Sequence, residues 1–206
     1  MAAYIVANNH STEFEANLPA YRARVTQTAQ SFGGRYLARG TPVKVLEGQW
    51  LARQRNVMSV WPDQAAAERF WFSDAYQKDI RPHRVGSSVN DIAIFTGEGD
   101  PSPLPAGDEV YMLVLAQLAG PPDRGSAYAK AVAALVPKFG GRYLVRGGPA
   151  KVLEGEWLTR LRVVLTYFPS LQAATDFWFS DAYQKDTKPL RDGTGIYDVG
   201  LFAAEK

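Results

Sequence analysis

Phe32–Arg84 reads FGGRYLARGTPVKVLEGQWLARQRNVMSVWPDQAAAERFWFSDAYQKDIRPHR, and Phe139–Arg191 reads FGGRYLVRGGPAKVLEGEWLTRLRVVLTYFPSLQAATDFWFSDAYQKDTKPLR; 34 of these 53 pairs are identical. The offset is 107 residues throughout, without a gap, and over residues 1–99 against 108–206 the count is 42. A gapless repeat requires every element to have the same length in both copies, so the chain reads as one domain duplicated and fused. Working outward, residues 1–97 form the first repeat and 108–206 the second. The Pro/Gly-rich stretch GEGDPSPLPAGD holds no helix or central strand, and residues 98–107 read as a linker.

A repeat of this length exceeds the roughly 20 to 50 residues of a solenoid unit and matches a small complete domain. With 46% hydrophobic residues each copy can build a core, yet a unit this small gains from burying one face against a partner, which fusion supplies. The expected assembly is therefore an internal pseudo-dimer, monomeric or weakly homo-oligomeric as a whole. A net charge of +2 gives no basic footprint for nucleic acid or an acidic membrane. The chain has no cysteine, which removes disulfides, thiolate metal sites and a cysteine nucleophile. MAAYIVANNH has neither a basic leader nor a long apolar run, and the expected location is cytoplasmic.

Within each copy the patterning gives six elements. Tyr4–Ala7 and Tyr111–Ala116 are apolar runs fit for a first strand. Leu18, Tyr21, Val25 and Phe32 then recur at helical spacing, and Gly33-Gly34 stops the helix. RYLAR continued by VKVLEG reads as a strand interrupted at Gly40-Thr41-Pro42, a bulge or edge position. Leu51–Trp61 returns as a strand, Pro62-Asp63 starts a second helix, SDAYQKD makes a short turn capped by Ser73, and Asp91–Phe95 is the last strand. The fold class is α+β: two ferredoxin-like βαββαβ units whose free sheet faces bury each other as a pseudo-dimeric α+β barrel.

The run GGRYLARG…VLEGQW…R, followed by FWFSDAYQ, resembles the signature of the family known as domain of unknown function 1330, in the dimeric α+β barrel superfamily. The likeness spans essentially the whole of each half. It implies a fused version of domains that usually dimerise through their sheets. The wider superfamily includes cofactor-free oxygenases, lactone isomerases, haem-degrading enzymes and stress-related proteins, so the resemblance narrows the chemistry little.

Candidate residues are polar groups kept in both copies. Arg39, Glu47 and Arg55, with Arg146, Glu154 and Arg162, would meet if a hairpin folds them together. Guanidinium forks suit a carboxylate or enolate oxygen, and a carboxylate against apolar walls suits a general base. The same set could instead be a cross-strand pair that fixes register. Trp50 offers an aromatic wall, Tyr76 and Tyr183 a hydroxyl donor, and Ser73 a further contact or simply the cap. Asn8, Asn9, His10, Asn56 and His83 face Leu115, Ala116, Gln117, Val163 and Leu190 in the second copy, so any pocket is expected in the first half, with the second as scaffold. Glu47 and His83 are the candidate proton carriers.

No metal motif, phosphate loop or serine elbow is present, and neither a cofactor nor a metal is expected. Two classes remain. One is a cofactor-independent enzyme of isomerase, oxygenase or lyase type acting on a small anionic or carbonyl-bearing metabolite; the other is a non-catalytic ligand-binding or structural protein. Whether Arg39, Glu47 and Arg55 border an open cavity or are sealed in ion pairs discriminates between them.

Overall fold

The computed structural model describes residues 1–11, 18–86, 88–98, 107–119 and 125–205; most of the expected linker, 98–107, lies outside them. The first half runs β1 (Ala3–Ser11), α1 (Leu18–Ser31), β2 (Arg35–Gly40), β3 (Lys44–Glu47), β4 (Arg55–Trp61), α2 (Gln64–Trp71) and β5 (Ser88–Thr96). The second repeats it as β6 (Val110–Leu118), α3 (Ser126–Leu135), β7 (Arg142–Gly147), β8 (Lys151–Glu154), β9 (Arg162–Phe168), α4 (Leu171–Phe179) and β10 (Gly195–Ala203). Local chemistry sets the boundaries: Asp63 and Ser170 accept the amides of Ala66 and Ala173 at the starts of α2 and α4, and Gly33 follows α1 at φ +81°. After α2 and α4 the repeated SDAYQKD turns are π-helical, Ala75–Ile80 and Ala182–Thr187.

RYLARG and KVLE are not one interrupted strand. The break at Gly40-Thr41-Pro42 sends β3 out of its own sheet to pair with β10 of the other half, while β8 crosses back to pair with β5. Two antiparallel five-stranded sheets result, ordered β2-β4-β1-β5-β8 and β3-β10-β6-β9-β7. A short strand traded in each direction covers an edge that would otherwise stand open. The turns after the traded strands are pinned: Asp198 accepts the Trp50 amide at 2.8 Å, and Asp91 accepts that of Trp157 at 2.8 Å.

Alternation along the strands makes three cores. Tyr4 and Val6 of β1 meet Tyr111, Leu113 and Leu115 of β6 in one cluster between the sheets. Ile5 and Ala7 face the other way, onto Val25, Phe70 and Trp71 of their own helices, and Met112 likewise joins Phe177 and Trp178. The chain is thus a pseudo-dimeric α+β barrel, two ferredoxin-like units back to back with helices outside. Trp50 and Trp157 stack between the halves with ring centroids 3.9 Å apart.

Candidate functional site

Each half has a cleft between the outer face of its sheet and its helices. The first, about 130 Å³, is walled by Val25, Val57, Phe70, Trp71 and Ile92; the second, about 450 Å³, by Val132, Val164, Phe177, Trp178 and Val199. Three tyrosines enter each: Tyr21, Tyr36 and Tyr76 in the first, Tyr128, Tyr143 and Tyr183 in the second.

A buried arginine forms the polar end of each cleft, and the opposite half holds it. Arg84 gives both guanidinium Nη atoms to Glu154, at 3.0 and 2.6 Å, and donates from Nε to the Tyr76 hydroxyl at 3.1 Å. Arg191 grips Glu47 with the same fork, at 3.0 and 2.6 Å. Glu154 sits on β8 and Glu47 on β3, the two traded strands, so strand exchange delivers each carboxylate. Burial pushes the Glu154 carboxyl up, but the hydrogen bonds and charge of Arg84, with help from Arg81, outweigh it and hold the group below the usual carboxylate range. The Arg84 and Arg191 guanidiniums are raised: burial opposes their charge and the carboxylates overcome it.

Burial pushes the hydroxyls of Tyr21, Tyr36 and Tyr128 far up, and that of Tyr143 up to about 12. These phenols are neutral donors at physiological pH. In the second cleft the Tyr128 and Tyr183 oxygens lie 3.2 Å apart; two hydroxyls sharing one bond keep a second proton for another acceptor. Arg191 also lies over the Tyr197 ring, 4.0 Å from its centroid.

The sequence-predicted residues divide. Tyr76, Arg39 and Arg55 line the first cleft, and Tyr183, Arg146 and Arg162 the second. Arg39 is tied to Thr26 of its own half and to Glu205 of the other, and Arg146 to Glu98, again across the halves. The trio Arg39, Glu47 and Arg55 does not assemble, because β2 and β3 belong to different sheets and Glu47 departs to Arg191, with Lys188 a further 3.4 Å contact. Glu47 and Glu154 are therefore occupied anchors beneath the clefts. His83 does not line a cleft; its Nε2 lies 3.2 Å from Arg24 on the surface. Trp50 is spent on the inter-half stack, and Ser73 caps its turn, accepting the Tyr76 amide at 3.1 Å.

Asn56, paired with Asn8 across β1 and β4, faces the inter-sheet core and not the cleft. Both Asn8 side-chain polar atoms and Asn56 Oδ1 are buried without a hydrogen-bond partner among the described residues. Of the polar residues that placed the pocket in the first half, Asn8 and Asn56 thus belong to the other face of the sheet while Asn9 lines the first cleft, and the larger cleft is in the second half. Sequence reasoning passed over Tyr21 and Tyr128, although a signal existed. Only four of the 31 pairs over residues 1–31 are identical, and two of them, Tyr21/Tyr128 and Val25/Val132, line the clefts. Among the described residues no cluster of three or more His, Asp or Glu could hold a metal, and no helix is long and apolar enough to cross a membrane.

The profile of the family described as "Domain of unknown function (DUF1330)" matches residues 2–98 and again residues 109–204. No curated protein matches the chain. Among solved structures, a candidate monooxygenase from Fusobacterium nucleatum aligns at TM-score 0.63 and 9% identity, covering 100% of this chain and 93% of its own. An anthrone oxidase-like protein aligns at TM-score 0.58 and 10% identity, covering 99% and 92%. The chlorite dismutase of Candidatus Nitrospira defluvii aligns at TM-score 0.58 and 8% identity, covering 100% and 91%. At such identities the likeness is one of fold.

Proposed function

Because the chain belongs to the DUF1330 family, matched once in each half, and that family carries no assigned chemistry, we propose from the clefts themselves that it is a small-molecule protein acting on a planar, largely apolar metabolite with an enol, phenol or carbonyl oxygen. The observation that carries this reading is a buried arginine beside tyrosine hydroxyls at one end of a mainly apolar cleft, which at least two further arginines also border, in both halves. A cation and neutral donors around a bound oxygen favour its anionic form, lowering the ligand's own pKa. Walls of Trp, Phe and Val exclude water and strengthen that effect. The chemistry that suits such a site is cofactor-independent: the ligand gives its proton to solvent water at the cleft mouth, and the enolate or phenolate left behind isomerises or is oxidised by dioxygen, which for an anthrone yields the quinone and water. The fold neighbours named for a monooxygenase and an anthrone oxidase are consistent with this class.

Anthrone tests it. Oxygen uptake and anthraquinone formation should accelerate over the buffer rate with the protein and fall back at least about ten-fold in Arg191→Met. The absence of both turnover and binding would sink the reading. The second reading is ligand binding without catalysis. It is favoured by one specific observation: Glu47 is taken up in its pair with Arg191 and His83 lies outside, so neither expected proton carrier lines a cleft. Saturable anthrone binding with no oxygen uptake would select it.

A further inference from the structure

Resting on that reading, we infer that the two clefts have parted in what they accept: the first takes a single-ring ligand and the second a ligand of several fused rings. The volumes differ more than three-fold, about 130 against about 450 Å³. An apolar cavity of roughly 150 Å³ admits one benzene ring, whereas drug-sized ligands occupy roughly 300 Å³ or more.

The cause can be read pair by pair along the repeat. Arg22 lines the first cleft, and its counterpart Ala129 lines the second. Trp61 lines the first, whereas its smaller counterpart Phe168 does not line the second. Ile92 gives way to Val199. The opposite changes, Ala7 to Val114 and Ser59 to Thr166, add only three methyl groups between them. The clefts do not separate by polarity: Asn9 and Ser88 border the first, Glu98, Ser126 and Thr166 border the second, and Tyr197 adds an aromatic wall beneath Arg191. The arginine and tyrosines that would hold a ligand oxygen persist in both, so what has diverged is the room around it.

Calorimetric titration of the full chain with 1,8-dihydroxyanthraquinone, three fused rings, and with 4-hydroxybenzoate, one ring, tests this. We expect one anthraquinone per chain. Ala129→Arg, which places the first cleft's side chain in the second at an exposed helix position, should weaken it at least about ten-fold and leave a 4-hydroxybenzoate site intact. Two anthraquinones per chain, or an affinity unmoved by Ala129→Arg, would overturn the size inference while leaving the clefts as binding sites. Failure of both probes to bind the unaltered chain would instead remove the functional reading, and this inference with it.

Discussion

Arg84 and Arg191 are buried cations, and the carboxylate beneath each keeps it tolerable there. Removing one partner of such a pair leaves an uncompensated charge, so Glu154→Gln should destabilise the fold by about 3 kcal/mol, read from the denaturant midpoint. The pH dependence has a definite sign. Because the folded Glu154 carboxyl is held below its unfolded value of about 4.3, its stabilisation is fully present above that value and is lost as pH falls through the folded one. Melting temperature should drop in that acid window, and less steeply in Glu154→Gln. The opposite outcome is expected at Asn8 and Asn56, whose orphaned amide atoms face the inter-sheet core. Replacing both with the twin's residues, Asn8→Leu with Asn56→Val, removes unsatisfied polar groups from a core that already holds Leu115 and Val163. A gain of about 1–3 kcal/mol in chemical denaturation is expected, and a loss would contradict the orphan assignment.

Among the elements, the strands and helices were legible because their hydrophobic periods differ, and the cap residues Asp63, Ser170 and Gly33 mark boundaries by local chemistry. The destination of KVLE was not legible. A four-residue strand carries the same pattern whichever sheet it joins, and only the three-residue break before it hints at departure. That one uncertainty moved Glu47 from the neighbourhood of Arg39 to that of Arg191 and so misplaced the proposed base. The turn after β8 tests the exchanged strand directly. Gly155 holds φ +72°, and a Cβ there would collide with the Asp91 carboxylate that accepts the Trp157 amide. Asp91→Ala should cost about 1.5–3 kcal/mol by loss of that charge-assisted bond, measured by thermal unfolding, and Gly155→Ala should unfold earlier still.

At the scale of the molecule, the gapless repeat was sufficient to foresee two sheets facing each other, since two equal half-covered sheets have one economical way to bury what remains. The clefts were only half visible. Neighbouring strand residues such as Arg55 and Asn56 point to opposite sides, and a sequence does not state which side the helices will cover. Separated halves, residues 1–98 and 107–206, would each lose an edge strand to the other. Co-expressed, they should co-purify as a one-to-one complex, whereas two folded monomers in light scattering would deny the exchange. The crossed carboxylates carry an evolutionary corollary. Each binding pocket stands on a post planted in its sibling, so a change that suits one copy's ligand is also felt by its neighbour's chemistry. The two genes-in-one can specialise at their rims, but their foundations must be inherited jointly.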